Sequence, residues 1–195
     1  LNKSKNYDDN IVFNDLEVLV SIVVVARSKS KRLKNKAYLK LNNGNSTISY
    51  LLNRLKKGIN NTNVKYKISL ATTNDKSDDQ LAIIGQKLGV DVYRGSEDDV
   101  LERLILSASR NRKPDFVLRI TGDDILIDCD YLMKTVDYAI ENNLDYCDNK
   151  GLITGTEIEV FKWHCLETIY KFANDRSGTE YLTFYIRDNK SRFRL

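Results

Sequence analysis

The stretch that decides the fold runs from residue 18 to residue 36 and reads VLVSIVVVARSKSKRLKNK. Its first half, Val18 to Ala26, is a nearly continuous run of β-branched and other apolar residues. Such a run is typical of a central strand that is covered on both faces. The second half is polar and basic, and it predicts a loop at the carboxyl end of that strand. Ligands of open α/β sheets bind at the carboxyl ends of the strands, so this loop is the first candidate for a binding site.

Downstream of this stretch, strand and helix patterns alternate. Strands are predicted at 68–72, near Val92, at 115–121, at Tyr146 and at 158–161. Helix starts are indicated by capping patterns at Ser46 with Thr47, at 77–80, at 96–99 and at Asp130, with a further helix at 164–173. Gly89 follows the last apolar residue of its helix, as expected of a left-handed C-cap. The alternation predicts an α/β fold, a three-layer α/β/α sandwich with a mostly parallel sheet.

The composition fits one domain with a sizeable core. The chain has 195 residues, of which 42% are hydrophobic and 30% are charged. We expect residues 1–16, which are rich in Asn, Asp and Lys, to form a lead-in arm or linker, and residues 17–195 to form the domain. No apolar run reaches the roughly 18 residues of a membrane span, so no membrane association is expected.

The cysteines and the net charge indicate the cellular location and the kind of partner to expect. Cys129, Cys147 and Cys165 lie far apart and form no CxxC pair, which predicts reduced thiols and a cytoplasmic location. The net charge of +4 is mild and the tyrosines are scattered, so no nucleic-acid partner is expected. The first residue, Leu1, favours a module of a longer polypeptide, and a homodimer stays open as well.

The basic loop is the first group of residues that could carry chemistry. Six Lys or Arg residues fall within the ten residues from Arg27 to Lys36, with no acid among them. At the end of a strand, such a loop can surround a triphosphate with backbone amides and cationic side chains. The alternative is a solvated basic loop, which is the usual fate of a run of charge. The loop is not a Walker A motif, because the pattern GxxxxGK[ST] is absent.

A second candidate is the stretch RITGDDILID at 119–128. Gly122 allows a turn, and Asp123 would emerge at the strand end, where a carboxylate can hold a Mg²⁺ ion that bridges phosphates. The alternative is a turn rich in Asp that leads into the following helix. The single histidine, His164, excludes a triad or metal site built on several histidines, and a packing role suits it better.

Several blocks in one order resemble a known family. The run ARSKSKRLKNK resembles the signature ARxGSxRLPGK of the spore-coat-polysaccharide and acylneuraminate cytidylyltransferases, which activate sugars as CMP conjugates. The agreement continues, in the family's order, through SLATTND at 69–75, GVDVYRGSEDDVLER at 89–103, RITGDDILID at 119–128, GTEIEVF at 155–161 and EYLTFYIR at 180–187. The resemblance implies the fold of nucleotide-diphospho-sugar transferases.

The resemblance also implies roles for single residues. Asp123 falls on the carboxylate that holds Mg²⁺ at the α-phosphate, and Glu157 and Glu159 fall in a block on the acceptor side. The expected catalytic residues are Arg27, Lys36 and Asp123. The expected nucleotide-binding residues are Arg27, Ser30, Arg32, Lys36, Thr72 and Thr73.

This chain departs from the family pattern at four places. Lys29 stands where the family usually has Gly, Lys34-Asn35 replaces Pro-Gly, and Glu157 replaces Asp. Because glycine lets a backbone approach phosphate closely, the changed loop leaves open weaker CTP binding or another loop shape. The family also has a later segment like VDTPED, whose Asp helps to hold the metal. The chain ends at Leu195 before such a segment, so we expect a domain that lacks its C-terminal end, with its second metal ligand unidentified.

The predicted function is transfer of CMP from CTP to a sugar or sugar-acid acceptor, with release of pyrophosphate and with Mg²⁺ as cofactor. Two alternatives stay open at the level of sequence. One is a nucleotide-sugar glycosyltransferase, or a nucleotidyltransferase that uses another base. The other is a non-catalytic binding or scaffolding module of the same fold. The partners expected in the first case are CTP and a small sugar-like molecule.

Overall fold

The computed structural model describes residues 17–29, 33, 35–59, 64–149, 151, 153, 155–172 and 181–195. The predicted lead-in arm, 1–16, lies outside the described residues. The strands are β1 Leu19–Val25, β2 Lys65–Thr73, β3 Asp91–Gly95, β4 Phe116–Thr121, β5 Tyr146–Asp148 and β6 Glu159–Lys162. The α-helices are α1 Thr47–Gly58, α2 Asp79–Lys87, α3 Val100–Ser109, α4 Cys129–Glu141, α5 Trp163–Phe172 and α6 Tyr181–Asp188. No helix in these ranges is both long and apolar enough to cross a membrane.

The six strands form one sheet in the order β3-β2-β1-β4-β6-β5. Strands β1 to β4 are mutually parallel, β6 is antiparallel to β4, and β5 is antiparallel to β6. The prediction of an α/β fold with a mostly parallel sheet is therefore confirmed. The parallel pairing places the carboxyl ends of β1, β2 and β4 at one edge of the sheet.

Both faces of the sheet are covered, as the apolar run of β1 predicts. Every residue of β1 is buried. Ile22 and Val24 pack in a cluster with apolar residues of α1, α2 and α4. Val23 and Val25 point to the opposite cluster, which contains apolar residues of α3, α5 and α6. Alternate residues of a strand face opposite sides of a sheet, so one strand supports two cores.

Most of the predicted caps are confirmed. Ser46 caps α1 by accepting a hydrogen bond from the Ser49 amide, and Asp99 caps α3 through the Glu102 amide. Gly89 has a φ of 65°, the left-handed conformation expected after α2. The Ser46 and Asp99 caps use side-chain oxygens to satisfy amides that the helix itself leaves without partners.

Two predicted capping interactions are wrong, although α2 begins within residues 77–80 as predicted. Asp128, not Asp130, caps α4, because Asp128 has the extended backbone of a cap and accepts from the Tyr131 amide. Asp130 lies inside the first turn, where an acidic residue still suits the helix dipole. Residues 77–80 do not form a capping box either, since a 3-10 turn, Lys76–Asp78, precedes α2 and is capped by Asp75.

Candidate active site

The loops after β1, β2 and β4 meet because backbone hydrogen bonds join the ends of these strands. The Ala26 amide donates to the Ala71 carbonyl at 3.1 Å, and the Gly122 amide donates to the Val25 carbonyl at 2.9 Å. A β-carbon added at Gly122 would lie 2.7 Å from the β-carbon of Ala26. Only glycine therefore allows this close approach. The approach brings the basic loop beside the loop that contains Asp123.

One contact between the loops after β1 and β4 joins two predicted catalytic residues. The Lys36 Nζ lies 2.6 Å from the Asp123 Oδ2, although the residues are 87 positions apart. Both side chains are partly exposed, at 27% and 44%. Lys36 opens a 3-10 turn, and its carbonyl accepts from the Thr47 hydroxyl at 2.6 Å, which ties the turn to the start of α1. A cation and a carboxylate thus face solvent together at the strand ends.

The replacement of glycine by Asn35 fits the backbone of the loop. Asn35 has a φ of 58°, and its amide donates to the Ser28 carbonyl at 3.1 Å. Glycine adopts this left-handed conformation most easily, and asparagine tolerates it better than most residues do. Among the described residues, Asn143 is the only other non-glycine with a positive φ. Lys29 therefore needs no conformation reserved for glycine, and the loop closes at Asn35 despite both departures.

The other two cations of the loop that the structure describes, Arg27 and Lys29, have acidic neighbours. The Lys29 Nζ lies 2.6 Å from the Asp75 Oδ2 and 3.8 Å from the Glu97 Oε2. An Arg27 guanidinium nitrogen lies 3.7 Å from the Glu97 Oε1. The hydrogen bond with Asp75 raises the pKa of Lys29, and the same bond lowers the pKa of Asp75. Arg27 thus stands at the strand end as predicted, beside a carboxylate that the sequence analysis did not assign.

Ser30 and Arg32, two predicted nucleotide-binding residues, lie outside the described residues. Thr72 and Thr73 are described, and both are buried at the end of β2. Their hydroxyls donate to the Asp78 carboxylate. A role of these two residues beside a nucleotide stays a prediction, and the hydroxyls already have a partner within the protein.

Asp78 is a connecting residue that the sequence analysis missed. It is 1% exposed, and its carboxylate accepts from the Ser28 amide at 2.7 Å and from the Thr73 amide at 3.2 Å. Burial raises the pKa of Asp78, but the hydrogen bonds from Thr73 and Ser28 outweigh burial and lower it. Asp78 therefore holds the start of the basic loop against the end of β2 as an anion.

Arg103 is a second buried charged residue that was not predicted from the sequence. It is 1% exposed, and its guanidinium donates to the Ser96 carbonyl. Burial, followed by repulsion from Arg27, lowers the pKa of Arg103. Its place on the apolar face of α3, between Val100 and Leu104, is a signal in the sequence that could have identified a buried arginine.

The two neighbouring acids of the β4 loop differ in environment. The Asp123 carboxylate is half-exposed and faces Lys36, whereas Asp124 accepts from the amide and hydroxyl of Thr121. Burial is the main cause that raises the pKa of Asp124, and the charges of Asp123 and Glu157 add to it. Asp123 is therefore the acid of this pair that is available to a ligand at the strand ends.

A cavity of about 250 Å³ opens on the other side of this loop, between β4, β5, β6 and α6. Glu159 lies in its wall, paired with the Arg119 guanidinium and accepting from the Tyr146 hydroxyl at 3.2 Å and from the Thr183 hydroxyl at 2.7 Å. Glu157 also lines the cavity and is exposed. The two predicted acceptor residues thus share one cavity. Glu159 shapes its wall, and Glu157 reaches its opening.

The residues at the strand ends fit a magnesium ion that arrives with phosphates. Within the described ranges there is no group of three or more His, Cys, Asp or Glu side chains placed to hold a metal by themselves. Mg²⁺ is commonly held by only one or two carboxylates, with phosphate oxygens and water completing its shell. Asp123 supplies one accessible carboxylate of this kind beside a basic loop.

Comparison with known proteins shows where the chain belongs. A family model described as cytidylyltransferase matches residues 21–195. An uncharacterized protein of Methanocaldococcus jannaschii is 39% identical over 173 residues, which are 89% of this chain and 69% of that protein. The spore coat polysaccharide biosynthesis protein SpsF of Bacillus subtilis is 27% identical over 177 residues, 90% of this chain and 73% of that protein.

A solved structure agrees with both the fold and the family. A cytidylyltransferase from Leptospira borgpetersenii superposes with a TM-score of 0.78 at 29% identity, over 91% of this chain and 74% of that one. The residues that the family model matches include most of β1, the basic loop, the loop after β4 and the cavity wall. The resemblance inferred from the sequence is therefore confirmed, and the chain belongs to the cytidylyltransferases, a family of enzymes that transfer CMP from CTP to an acceptor.

Proposed function

We propose that this protein transfers CMP from CTP to a hydroxyl group of a sugar-like acceptor. The observation that carries the proposal is the contact between Lys36 and Asp123, which places a cation and a carboxylate together at the carboxyl ends of β1 and β4. Parallel α/β sheets bind their ligands at this edge. The family match and the cavity beside Asp123 support the same reading.

In the proposed reaction, an acceptor hydroxyl oxygen forms a bond to the α-phosphorus of CTP. The bond from that phosphorus to the bridging oxygen breaks, pyrophosphate leaves, and the hydroxyl proton passes to solvent. Arg27 and Lys36, with Ser30 and Arg32 of the same loop, would bind the triphosphate and stabilise the charge on the leaving pyrophosphate. Positioning and charge stabilisation of this kind account for most of the rate in phosphate transfer.

Asp123 is the residue that would hold Mg²⁺, together with phosphate oxygens of CTP. The ion, when bound, would neutralise charge on the α-phosphate. Lys36 has a double role in this arrangement, because it orients the Asp123 carboxylate before CTP arrives and can turn to a phosphate afterwards. Lysine suits such an exchange, since its ammonium is a compact charge on a flexible stem.

The cavity beside the β4 loop is the proposed acceptor site, with Glu157 and Glu159 as its contact residues. Glu159 is held in place by Arg119 and Thr183, so it would present a fixed carboxylate edge to acceptor hydroxyls. Glu157, at the opening, is free to adjust because it is exposed. Carboxylates accept hydrogen bonds from sugar hydroxyls, and each accepts more than one.

The test is a nucleotide panel with Mg²⁺, followed by product analysis. A ligand that binds only the native state at a hundred times its Kd adds about 2.7 kcal/mol to stability, which a thermal shift detects. We expect CTP to raise the melting temperature more than ATP, GTP or UTP does, and an acceptor to release pyrophosphate. Equal shifts for all four nucleotides would contradict the choice of CTP. Release of a nucleoside diphosphate would instead indicate glycosyl transfer.

A further inference from the structure

The buried arginine of α3, Arg103, lies under the loop 96–99 that follows β3. One terminal nitrogen of its guanidinium donates to the Ser96 carbonyl and lies 3.4 Å from the Glu97 carbonyl. The end of β3 is equally close, since a β-carbon added at Gly95 would lie 3.5 Å from the Arg103 Cγ. Arg103 is 1% exposed, so it acts on a ligand through the residues around it and not by direct contact.

The burial of this charge is offset only in part by its contacts. The guanidinium contacts two carbonyl oxygens, and the Arg103 Nε has no hydrogen-bond partner within the described residues. The undescribed residues of the basic loop, 30–32 and 34, contain no acid. Burying a cation with an unsatisfied donor is unfavourable, and such a group in a native protein calls for a functional explanation.

Glu97 connects Arg103 with Arg27. The Glu97 carbonyl oxygen lies 3.4 Å from an Arg103 nitrogen, and the Glu97 carboxylate lies 3.7 Å from an Arg27 nitrogen. A buried guanidinium and one that is 41% exposed therefore contact the same residue. Like charges repel at this range, and the repulsion is screened less when one of them is buried.

The charges around Arg103 lie on different sides of it. Burial is the largest cause that lowers the pKa of Arg103, followed by repulsion from Arg27, whereas Asp78, Glu97 and Asp99 raise it. Asp78 is buried and is held by backbone amides and hydroxyl groups, so it attracts Arg103 from within the protein. Arg27 is on the solvent side. Repulsion therefore favours positions of the Arg27 guanidinium that point away from α3.

We propose that Arg103 is a positioning residue for the triphosphate, which holds the backbone of Glu97 and keeps the Arg27 guanidinium turned outward by repulsion. Arg27 can then exchange the Glu97 carboxylate for a phosphate without first leaving the protein interior. Loss of the buried charge would let Arg27 bind Glu97 more firmly, and the triphosphate would compete with that contact. The inference rests on the proposed function, because it takes Arg27 as a phosphate-binding residue.

The test asks whether the effect of Arg103 passes through Arg27. Arg103→Gln and Arg103→Met remove the charge, whereas Arg103→Lys keeps it. Gln also retains an N–H donor for a carbonyl. Each change is made in the wild type and beside Arg27→Ala, and the affinity for CTP with Mg²⁺ is measured by calorimetric titration. The matched control is Arg112→Gln, at an exposed arginine beyond the end of α3, and circular dichroism checks folding.

We expect both uncharged variants to weaken CTP binding at least about threefold, within the range for residues that interact. Arg103→Lys should bind CTP nearly as the wild type does. Beside Arg27→Ala, the uncharged variants should change the affinity little.

Equal losses in the two backgrounds would show that Arg103 does not act through Arg27, and would overturn the inference. A loss for Arg103→Lys as large as that for Arg103→Gln would do the same, because the charge would not be the cause. Failure of both uncharged variants to fold would also overturn it, since the role of Arg103 would then be structural.

A second measurement does not depend on CTP. Phenylglyoxal modifies guanidinium groups, and one that is turned outward beside a second cation reacts faster than one held by a carboxylate. We expect Arg27 to react about threefold more slowly in Arg103→Gln than in the wild type, within the range for an exposed ion pair. The rate at Arg112 should not change, and peptide mass mapping reads both positions.

An unchanged rate at Arg27 would overturn the inference. A failure of the proposed function is distinguishable, because the wild type would then not bind CTP while the modification of Arg27 still slows in Arg103→Gln. In that case the rates of modification decide alone.

Discussion

Lys36 Nζ and Asp123 Oδ2 lie 2.6 Å apart and join the loop after β1 to the loop after β4. At the same strand ends, the Gly122 amide donates to the Val25 carbonyl, and Gly122 packs against Ala26. A triphosphate that binds here would attract the cation, and a metal ion would attract the carboxylate. On the proposed function, the pair would keep both groups in position until the ligands separate them.

Asp123→Asn tests the carboxylate of this pair. The change removes the charge and keeps the shape, and Asp123 is half-exposed, so we expect the fold to survive. Loss of one charge that acts on the transferred phosphate should lower turnover at least about a hundredfold. The measurement is pyrophosphate release as a function of Mg²⁺ concentration, with circular dichroism as the check of folding.

Asp130→Asn is the control for this experiment. Asp130 is an exposed residue of the first turn of α4 and should leave turnover unchanged. A folded Asp123→Asn protein with near-normal activity would show that other groups hold the metal. The role proposed for the β4 loop would then be wrong.

Arg27 and Glu97 should affect CTP affinity in opposite directions. Arg27→Ala removes a charge-assisted partner of the phosphates and should weaken binding by about 1.5–3 kcal/mol. Glu97→Gln frees Arg27 from a carboxylate 3.7 Å away and should strengthen binding by about 0.2–1 kcal/mol, the range for exposed ion pairs. Calorimetric titration with CTP and Mg²⁺ measures both effects.

Lys76→Ala is the matched control, since Lys76 is an exposed cation in the turn before α2. We expect it to change the affinity for CTP little. If Arg27→Ala and Lys76→Ala lower the affinity for CTP by similar amounts, the basic loop attracts CTP through its overall charge and not through specific contacts. Weaker binding by Glu97→Gln would show that Glu97 orients Arg27 rather than competing for it.

Asp78→Asn should destabilise the protein and loosen the basic loop. Asparagine has an NH2 group in place of one carboxylate oxygen, so either the Ser28 amide or the Thr73 amide loses its acceptor, which should cost about 1–3 kcal/mol. The folded-state pKa of Asp78 is lowered, so the stability due to its charge is present above the usual aspartate pKa of about 3.9. That stability is lost as the pH falls towards the lowered value.

The free energy of unfolding, measured with denaturant at pH 7 and pH 3, checks this prediction. The difference between wild type and Asp78→Asn should be smaller at pH 3. Asp79→Asn, which removes only an exposed ion pair with Arg94, should cost at most about 1 kcal/mol at pH 7. A gap that widens in acid would contradict the assignment of a charged Asp78.

Gly122→Ala should strain the junction of β1 and β4. The new methyl group would lie 2.7 Å from the Ala26 β-carbon, and overpacking of this kind costs about 1–3 kcal/mol. Ala26→Gly removes the opposing methyl group, so the double variant should recover part of the loss. Additive losses in this double-mutant cycle, measured by thermal unfolding, would show that the two positions do not press on each other.

The parallel half of the sheet could be predicted from the sequence because its signals are local. The β1 run, the periodic helices and the caps at Ser46 and Asp99 each follow from neighbouring residues. The reversed direction of β6 could not be predicted in this way, since a strand of four residues carries little pattern. Its direction depends on pairing with β4 and β5, which is a tertiary property.

Some residues of the candidate site could likewise be predicted from the sequence, and others could not. Lys36 could be named because it stands in the run that resembles the family signature, and Asp123 because it follows a recognisable strand. The burial of Asp78 could not, since an acid among polar residues at the start of a helix is typical of a surface cap. The pairing of Glu159 with Arg119, 40 positions away, depends on the antiparallel register of β4 and β6. The cytoplasmic location, the single domain and a homodimer stay predictions.

The position of β5 and β6 late in the chain has a consequence for how such enzymes diverge. The nucleotide chemistry is proposed for loops that end before residue 129. Seven of the ten described lining residues of the cavity come later in the chain, from β5, β6, α6 and the loop between β5 and β6. On the proposed function, substitutions in the later part of the chain can therefore change the acceptor preference while the residues before 129 are preserved. Only β4 belongs to both parts, through Arg119 and Thr121 on one side and Asp123 beyond its end, so it should be the slowest strand to change among descendants.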